Sequence, residues 1–257
     1  MKPFYIGLSC VSNNPAGNAG RAGSNNIGRA LHAEGRRVLA LLDAEAGTGA
    51  KAEPPGRAQE PAAIAVESGG RPFFTGRHAD FNISHSRYIA AVAWSGEINP
   101  ANGLPFRVGC DIQHVSPGKN REAIARRYYS PGENSYIAAA PDTADRIDRF
   151  YRIWALKECC LKARGLSVLD MRDSPSFAER EGLGKEPALP FCFFLYELES
   201  AAGRCLLAVC RENPPPDPSR PDPAPPPEIR WYSTPLALKA LSAPLRPLGP
   251  ASLGINA

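Results

Sequence analysis

Three short stretches concentrate the side chains able to do chemistry. Asp111 and Gln113 stand two residues apart in Phe106-Arg107-Val108-Gly109-Cys110-Asp111-Ile112-Gln113. Alternation makes this run a strand, with Phe106, Val108, Cys110 and Ile112 on one face and both oxygen-bearing side chains on the other. Positions two apart are separated by roughly 7 Å of backbone, so their side chains can converge on one cation. Glu158 lies in the segment from Arg149 to Gly165, where Ile147, Phe150, Tyr151, Trp154, position 158 and Leu161 recur at helical spacing as one stripe. A carboxylate set into an apolar stripe needs a partner, a proton or a metal to offset its desolvation. Hard oxygen ligands suit magnesium, which binds them at about 2.1 Å and keeps waters or phosphate oxygens in its shell. Lys157 and Lys162 flank Glu158 and can reach phosphate. The third stretch is Phe81-Asn82-Ile83-Ser84-His85-Ser86, which sets two hydroxyls and an imidazole side by side and has the composition of a phosphate-gripping turn.

Each feature also has a plainer reading. Glu158 with Lys162 one turn on is an ordinary helix pair worth a few tenths of a kcal/mol. Asp111 alone can cap a turn, Gln113 can be an edge-strand amide, and the two lysines can be a solvated helix edge. A Ser-His nucleophile pair is disfavoured, because sequence neighbours on extended chain point to opposite sides and no G-x-S-x-G elbow is present. His32, His78 and His114 have no partner pattern and read as structural or solvent-exposed.

The elements that must position these residues follow from periodicity and punctuation. With 257 residues, 43% of them hydrophobic, the chain can bury a sizeable core as one large domain or two small ones. Phe4 to Leu8 fits a first strand, and a loop-like stretch follows to about residue 24. A helix fits Asn25 to Asp43, with Ile27, Leu31, Val38 and Leu42 on one side. Ala44 to Pro61 reads as linker and Gly69-Gly70-Arg71-Pro72 as a loop. Tyr88 to Trp94 and Phe106 to Gln113 are strands, joined by a turn-rich connector suited to an antiparallel hairpin. A basic helix runs from Asn120 to about Tyr129 and is stopped by Ser130-Pro131-Gly132. The helix of Glu158 begins near Asp142, with Asp145 completing a capping pattern, and ends at Gly165. Strands fit Phe191 to Glu199, Arg204 to Cys210 and Glu228 to Ser233. Pro214 to Pro227 is an extended polyproline-type loop that cannot join a sheet.

Composition removes several function classes. The N-terminal apolar run is too short for a secretory signal and no stretch approaches a membrane span, so a cytoplasmic location is expected. The seven cysteines form no C-x-x-C pair and read as free, mostly buried thiols. A net charge of +4 fits an acidic partner or a phosphorylated ligand. No dense basic tract or aromatic-basic motif accompanies it, which argues against nucleic acid.

Taken together and in order, Phe81 to Ser86, Val108 to Gln113 and the W-x-x-K-E-x-x-x-K run from Trp154 through Lys157 and Glu158 to Lys162 resemble the 4′-phosphopantetheinyl transferase superfamily, in its long, single-chain Sfp type. Gly70-Arg71-Pro72 stands where that family often has G-K-P, and Ala125 to Glu133 is similar to its K-R-F-F-S-x-x-E segment. The resemblance covers about residues 66 to 210. It implies an α+β pseudo-dimer of two similar halves, each a small antiparallel sheet packed with a long helix, with coenzyme A in the cleft between them. The halves would be residues 1–105 and 106–212, followed by the Pro-rich loop at 213–227 and a final strand and tail at 228–257. The implied reaction moves 4′-phosphopantetheine from coenzyme A to the serine of an apo acyl or peptidyl carrier protein, releasing adenosine 3′,5′-bisphosphate.

Carried over by position, Asp111 and Glu158 become Mg2+ ligands, with Gln113 a third candidate, and Glu158 also the base for the serine hydroxyl. Ser84 and His85 would hold coenzyme A phosphates, Arg71 would stand at the adenine side, Lys157 would reach phosphate, and Lys162 would neutralise the diphosphate. The basic face of Arg121, Arg126 and Arg127 suits an acidic carrier; a monomer is expected. Two departures matter. Gln113 replaces the family's usual Glu, leaving the metal shell one negative charge short and implying weaker magnesium binding. Ser12 to Gly20 lacks the family's basic residues for the 3′-phosphate, leaving Arg21 and Arg29 as candidates. Both departures keep open a non-catalytic descendant that binds coenzyme A or a carrier protein.

Overall fold

The computed structural model describes residues 4–10, 21–47, 63–117, 120–177, 191–200, 203–213, 227–232 and 246–248. Four layers stack in it. Helix α1 (Arg21–Gly47) covers one face of a sheet of order β4-β5-β1-β9, formed by β4 (Asp80–Ser86), β5 (Ile89–Ser95), β1 (Phe4–Cys10) and β9 (Glu228–Trp231). The other face of that sheet packs on a second sheet, of order β10-β7-β8-β6, built from β6 (Val108–His114), β7 (Phe191–Ser200), β8 (Gly203–Glu212) and β10 (Arg246–Leu248). Helix α4 (Thr143–Arg164) covers the far side of the second sheet. Two short strands, β2 (Ile64–Val66) and β3 (Pro72–Phe74), form a separate hairpin.

Period-2 patterning makes this stacking possible. Phe4, Ile6 and Leu8 of β1 and Ile89, Ala91 and Ala93 of β5 meet Val108, Cys110 and Ile112 of β6 and Leu207 and Val209 of β8 in the central core. The intervening residues face the helices: Tyr5, Val92 and Trp94 pack under Val38, Leu39 and Leu42 of α1. On the other side Leu206, Ala208 and Cys210 pack under Phe150, Ile153, Leu161 and their neighbours on α4. Gly109 lets α4 come this close, since a Cβ there would lie 2.2 Å from the Cys159 carbonyl oxygen. Cys110, Cys159, Cys160, Cys192, Cys205 and Cys210 are free, and burial pushes the Cys110 thiol up to about 12, so it acts as a small apolar side chain. Among the described residues no helix is long and apolar enough to cross a membrane.

The sequence reading needs correction at several joints. The expected hairpin between the strands at 88–94 and 106–113 does not form: β5 pairs with β1 and β4, β6 pairs with β8, and residues 96–107 cross from one sheet to the other. Phe81 to Ser86 is a strand, and the tight turn is at Arg87, whose φ is 55°. Ser130-Pro131-Gly132 opens α3 (Pro131–Ala138) directly after α2 (Arg121–Tyr128), because Ser130 and Glu133 form a capping box with proline in the first turn. The sheet around β1 is mixed, since β9 joins it in parallel. Ser12 to Gly20 and most of the Pro-rich loop lie outside the described residues.

Candidate active site

The site forms where β4 and β6 run side by side at adjoining sheet edges without a main-chain ladder. Every second side chain of β4 supplies the acceptor that a neighbouring strand's carbonyl would supply. Backbone N–H groups of Val108, Cys110, Ile112 and His114 donate to Asp80 Oδ2 (2.8 Å), Asn82 Oδ1 (3.0 Å), Ser84 Oγ (3.2 Å) and Ser86 Oγ (3.0 Å). This seam satisfies buried donors and fixes the register between the two sheets. It also brings Ser84, from the first sheet, against Asp111 of the second.

Asp111 is 1% exposed, and three donors surround its carboxylate. Ser84 Oγ donates to Oδ1 at 3.1 Å, Gln113 Nε2 to Oδ2 at 2.8 Å, and Lys162 Nζ to Oδ1 at 2.5 Å. Lys162 also donates to Ser84 Oγ at 3.0 Å and stands 3.9 Å from Glu158 Oε2 on the preceding turn of α4. Two carboxylates from different elements therefore converge on one ammonium. Burial works against the charge of Lys162, but Asp111 and then Glu158 outweigh it and hold its pKa above the ordinary lysine value. Helix α4 is well anchored for this task. Asp142 caps its first turn, and Gly165, at φ 71°, closes its last turn in the left-handed conformation.

These groups form one end of an open cleft of about 470 Å³. Its other walls are β4, the β2–β3 hairpin with Gly70 and Pro72, and His32 and Arg36 of α1. His85 reaches the cleft from β4. Partial burial, then the proximity of His32 and Lys162, lowers its pKa. A smaller pocket of about 240 Å³ adjoins on the far side of Glu158 and Gln113, walled by Ile124, Phe150, Tyr151 and Trp154. The larger cleft carries the cationic side chains, and the smaller pocket sets aromatic and aliphatic side chains beside the Gln113 amide and the Glu158 carboxylate.

Among the residues singled out from sequence, Asp111, Gln113, Glu158, Lys162, Ser84 and His85 all line this cleft. Two others are placed elsewhere. Lys157, expected at phosphate, is fully buried on the opposite side of α4, 3.1 Å from Glu133 Oε2 and donating to the Pro175 carbonyl at 3.2 Å. A helix turns about 100° per residue, so the neighbour of a cleft-facing Glu158 points away from the cleft. Arg71, expected at the adenine side, is 4% exposed and chelates Asp80 inside the protein. Its neighbours Gly70 and Pro72 face the cleft instead, as alternation requires. His32 and Arg36 were missed: their one signal is the i, i+4 spacing on α1, while the strand they face lies about fifty residues away in sequence.

Among the described residues no group of three His, Cys, Asp or Glu side chains is arranged to hold a metal. The oxygen donors that do converge are the carboxylates of Asp111 and Glu158, with the Gln113 amide beside them. The sequence model of the 4′-phosphopantetheinyl transferase superfamily matches residues 107–199, the segment that carries Asp111, Glu158 and Lys162.

The chain belongs to that superfamily. It is similar to 4′-phosphopantetheinyl transferase HetI of Nostoc sp., with 30% identity over 111 residues, 42% of this chain and 43% of that protein. Similarity to AcpT of Salmonella typhimurium is 32% over 108 residues, 42% of this chain and 52% of that one. A 4′-phosphopantetheinyl transferase of Bacillus subtilis is 33% identical over 168 residues, 60% of this chain and 66% of that one. The chain spans about half the length of the first two of these superfamily relatives.

Proposed function

We propose that this chain transfers 4′-phosphopantetheine from coenzyme A to a serine of an apo acyl or peptidyl carrier protein, in a magnesium-dependent reaction that releases adenosine 3′,5′-bisphosphate. The observation that carries this reading is the meeting of Asp111, Glu158 and Lys162 at one end of a cleft whose opposite walls carry His85, His32 and Arg36. The two sheet-and-helix units suit a pseudo-dimer divided near residue 105, and the reading places the enzyme in the cytoplasm as a monomer, with coenzyme A and a carrier as partners.

The donor set fits the cation. All the candidate ligands are hard oxygens, and Asp111 and Glu158 already gather a positive charge, the Lys162 ammonium. Asp111 and Glu158 would hold Mg2+, with the Gln113 amide oxygen or water making up for the missing third carboxylate. Bound there, the ion neutralises charge on the diphosphate.

The rest is the work of the chain. Ser84 and His85 bind coenzyme A phosphates. The smaller pocket beside Glu158, which mixes amide, carboxylate and aromatic side chains, takes the uncharged pantetheine arm with its amides and apolar stretches. Glu158 accepts the proton of the incoming serine, directly or through water, as its oxygen attacks the β-phosphorus. The bond from that phosphorus to the oxygen bridging the diphosphate breaks, and Lys162 offsets the charge that leaves with the bisphosphate. Arg126 and Arg127, exposed on α2, favour an acidic carrier.

Gln113 favours a second reading, a non-catalytic binder of coenzyme A or a carrier. Incubation with several apo carriers, coenzyme A and magnesium, followed by mass spectrometry of the carrier, separates the two. The transferase reading expects a gain equal to one phosphopantetheine group; coenzyme A binding without any gain overturns it in favour of the second.

A further inference from the structure

Arg71 is the most heavily bonded side chain near the cleft, yet it does not face it. Its guanidinium donates to Asp80 Oδ1 at 2.8 Å and Oδ2 at 2.5 Å, in the fork geometry that arginine alone provides. The remaining donors go to main chain: Nε to the Lys162 carbonyl at 3.0 Å, and Nη2 to the Val108 carbonyl at 3.0 Å and the Phe81 carbonyl at 3.4 Å. Asp80 in turn accepts from the Val108 N–H at 2.8 Å. One buried ion pair therefore joins the start of β3, the start of β4, the start of β6 and the last turn of α4.

We infer that Arg71 is a positioning residue for Lys162 and Asp111, acting through the Lys162 carbonyl and the start of β6. The inference rests on the transferase reading above. Carbonyls in the last turn of a helix run out of regular i+4 partners, and that of Lys162, the residue whose ammonium reaches Asp111, accepts from the Gly165 N–H at 3.2 Å and from Arg71 Nε at 3.0 Å. Gly165 ends the helix three residues later, with the Cβ and Cδ of Arg71 3.6 Å from where a Cβ on that glycine would lie. The aliphatic stem of Arg71 thus packs on the helix end while its head fixes the strand bearing Asp111. Arg71 is 4% exposed and does not line the cleft, so the charge at position 71 orients the site without touching coenzyme A.

Arg71→Lys tests this, because it keeps the charge and removes the fork. The inference expects kcat to fall at least tenfold per folded molecule while KM for coenzyme A stays within twofold. It also expects faster amide exchange in the peptide covering residues 158–166. The double variant Arg71→Met/Asp80→Asn leaves no unpaired buried charge and keeps an acceptor for Val108; it should fold and show the same kcat loss. A KM for coenzyme A raised tenfold with kcat unchanged makes Arg71 a ligand contact and overturns the inference. A lower Tm with unchanged kcat and KM makes it merely structural and overturns it equally. A wild-type chain that modifies no carrier refutes the transferase reading instead. Exchange at 158–166 then still decides for Arg71: unchanged protection in Arg71→Lys overturns its hold on the helix end.

Discussion

The two helix-and-sheet units meet at one cleft but bring it opposite things. The unit of α1 and β4 contributes imidazoles and a guanidinium, from His32, Arg36 and His85, on surfaces open to solvent, with the buried Ser84 hydroxyl beneath them. The unit of α4 and β6 contributes carboxylates and an ammonium, with Asp111 almost wholly buried and its partners held within 3.1 Å. Groups that grip an anion can stay exposed and adaptable, since phosphate brings its own charge. Groups that bind a cation or move a proton must be fixed before the substrate arrives. Catalytic loss should therefore concentrate in the second unit and affinity loss in the first.

The sharpest break of that contrast is Glu158→Gln. It is nearly isosteric and removes only the proton acceptor and a negative charge, so transfer should fall by about 10² to 10⁴-fold, the range for a lost general base. Thermal unfolding should barely change, because Glu158 is only partly buried. Retained turnover at saturating magnesium would take Glu158 out of the mechanism.

Next in size is a stability effect one residue away. Lys157 and Glu133 are both fully buried, and Glu133 also accepts from the backbone N–H groups of Ser130 and Phe177. Lys157→Met leaves that carboxylate without its cation and should cost roughly 3–5 kcal/mol, read as a lower denaturation midpoint. Lys157→Met/Glu133→Gln should recover part of the loss. If Lys157 touched coenzyme A, the single variant would raise KM with stability intact.

The seam between the units should yield less. Ser86→Ala removes one acceptor from the backbone N–H of His114 at a half-buried site, which should cost about 1 kcal/mol in chemical denaturation. Asn82→Ala, in the fully buried middle of the seam, should cost more than that. Equal and negligible losses would mean that the central apolar core alone sets the register between the sheets.

How much of this was legible in the chain follows the same division. Helix α4 was readable nearly to the residue, because Asp142 and Gly165 are strong local punctuation. Glu158 stood out as a carboxylate in an apolar helical stripe. Asp111, on the polar face of its strand, and Lys162, on a helix edge, gained weight only from the order and spacing of the three stretches. Strand β4 read as a turn because its alternate residues are Asp80, Asn82, Ser84 and Ser86, a turn's composition put to use as acceptors for another strand. The helix at Pro131 was missed although Ser130 and Glu133 carried its capping box, since Pro-Gly was read as a stop. Arg71 and Lys157 needed only the rule that adjacent residues face different ways, applied beside Pro72 and Glu158. His32 and Arg36 had only their i, i+4 spacing as a local signal, because what makes them cleft residues is the approach of α1 to β4, about fifty residues away in sequence.

The smallest expected effect separates His85 from Lys162, two nitrogen-bearing side chains that line the same cleft. Burial, His32 on α1 and Lys162 on α4 all oppose the imidazolium, while Asp111 on β6 favours it less strongly, so the folded His85 binds a proton less readily than the unfolded chain does. The sign follows: stability from this residue is present above the ordinary imidazole pKa and is lost as pH falls through it. Wild-type Tm should therefore dip from pH 7 to 5.5 by less than the ~2–4 °C that 1 kcal/mol moves a chain of this size, and His85→Gln should flatten the dip. Bound phosphate reverses the balance by offering the imidazolium a partner. Saturating coenzyme A should then abolish the dip in the wild type and leave His85→Gln unchanged, whereas an equal response in both would move phosphate contact to His32 and Arg36.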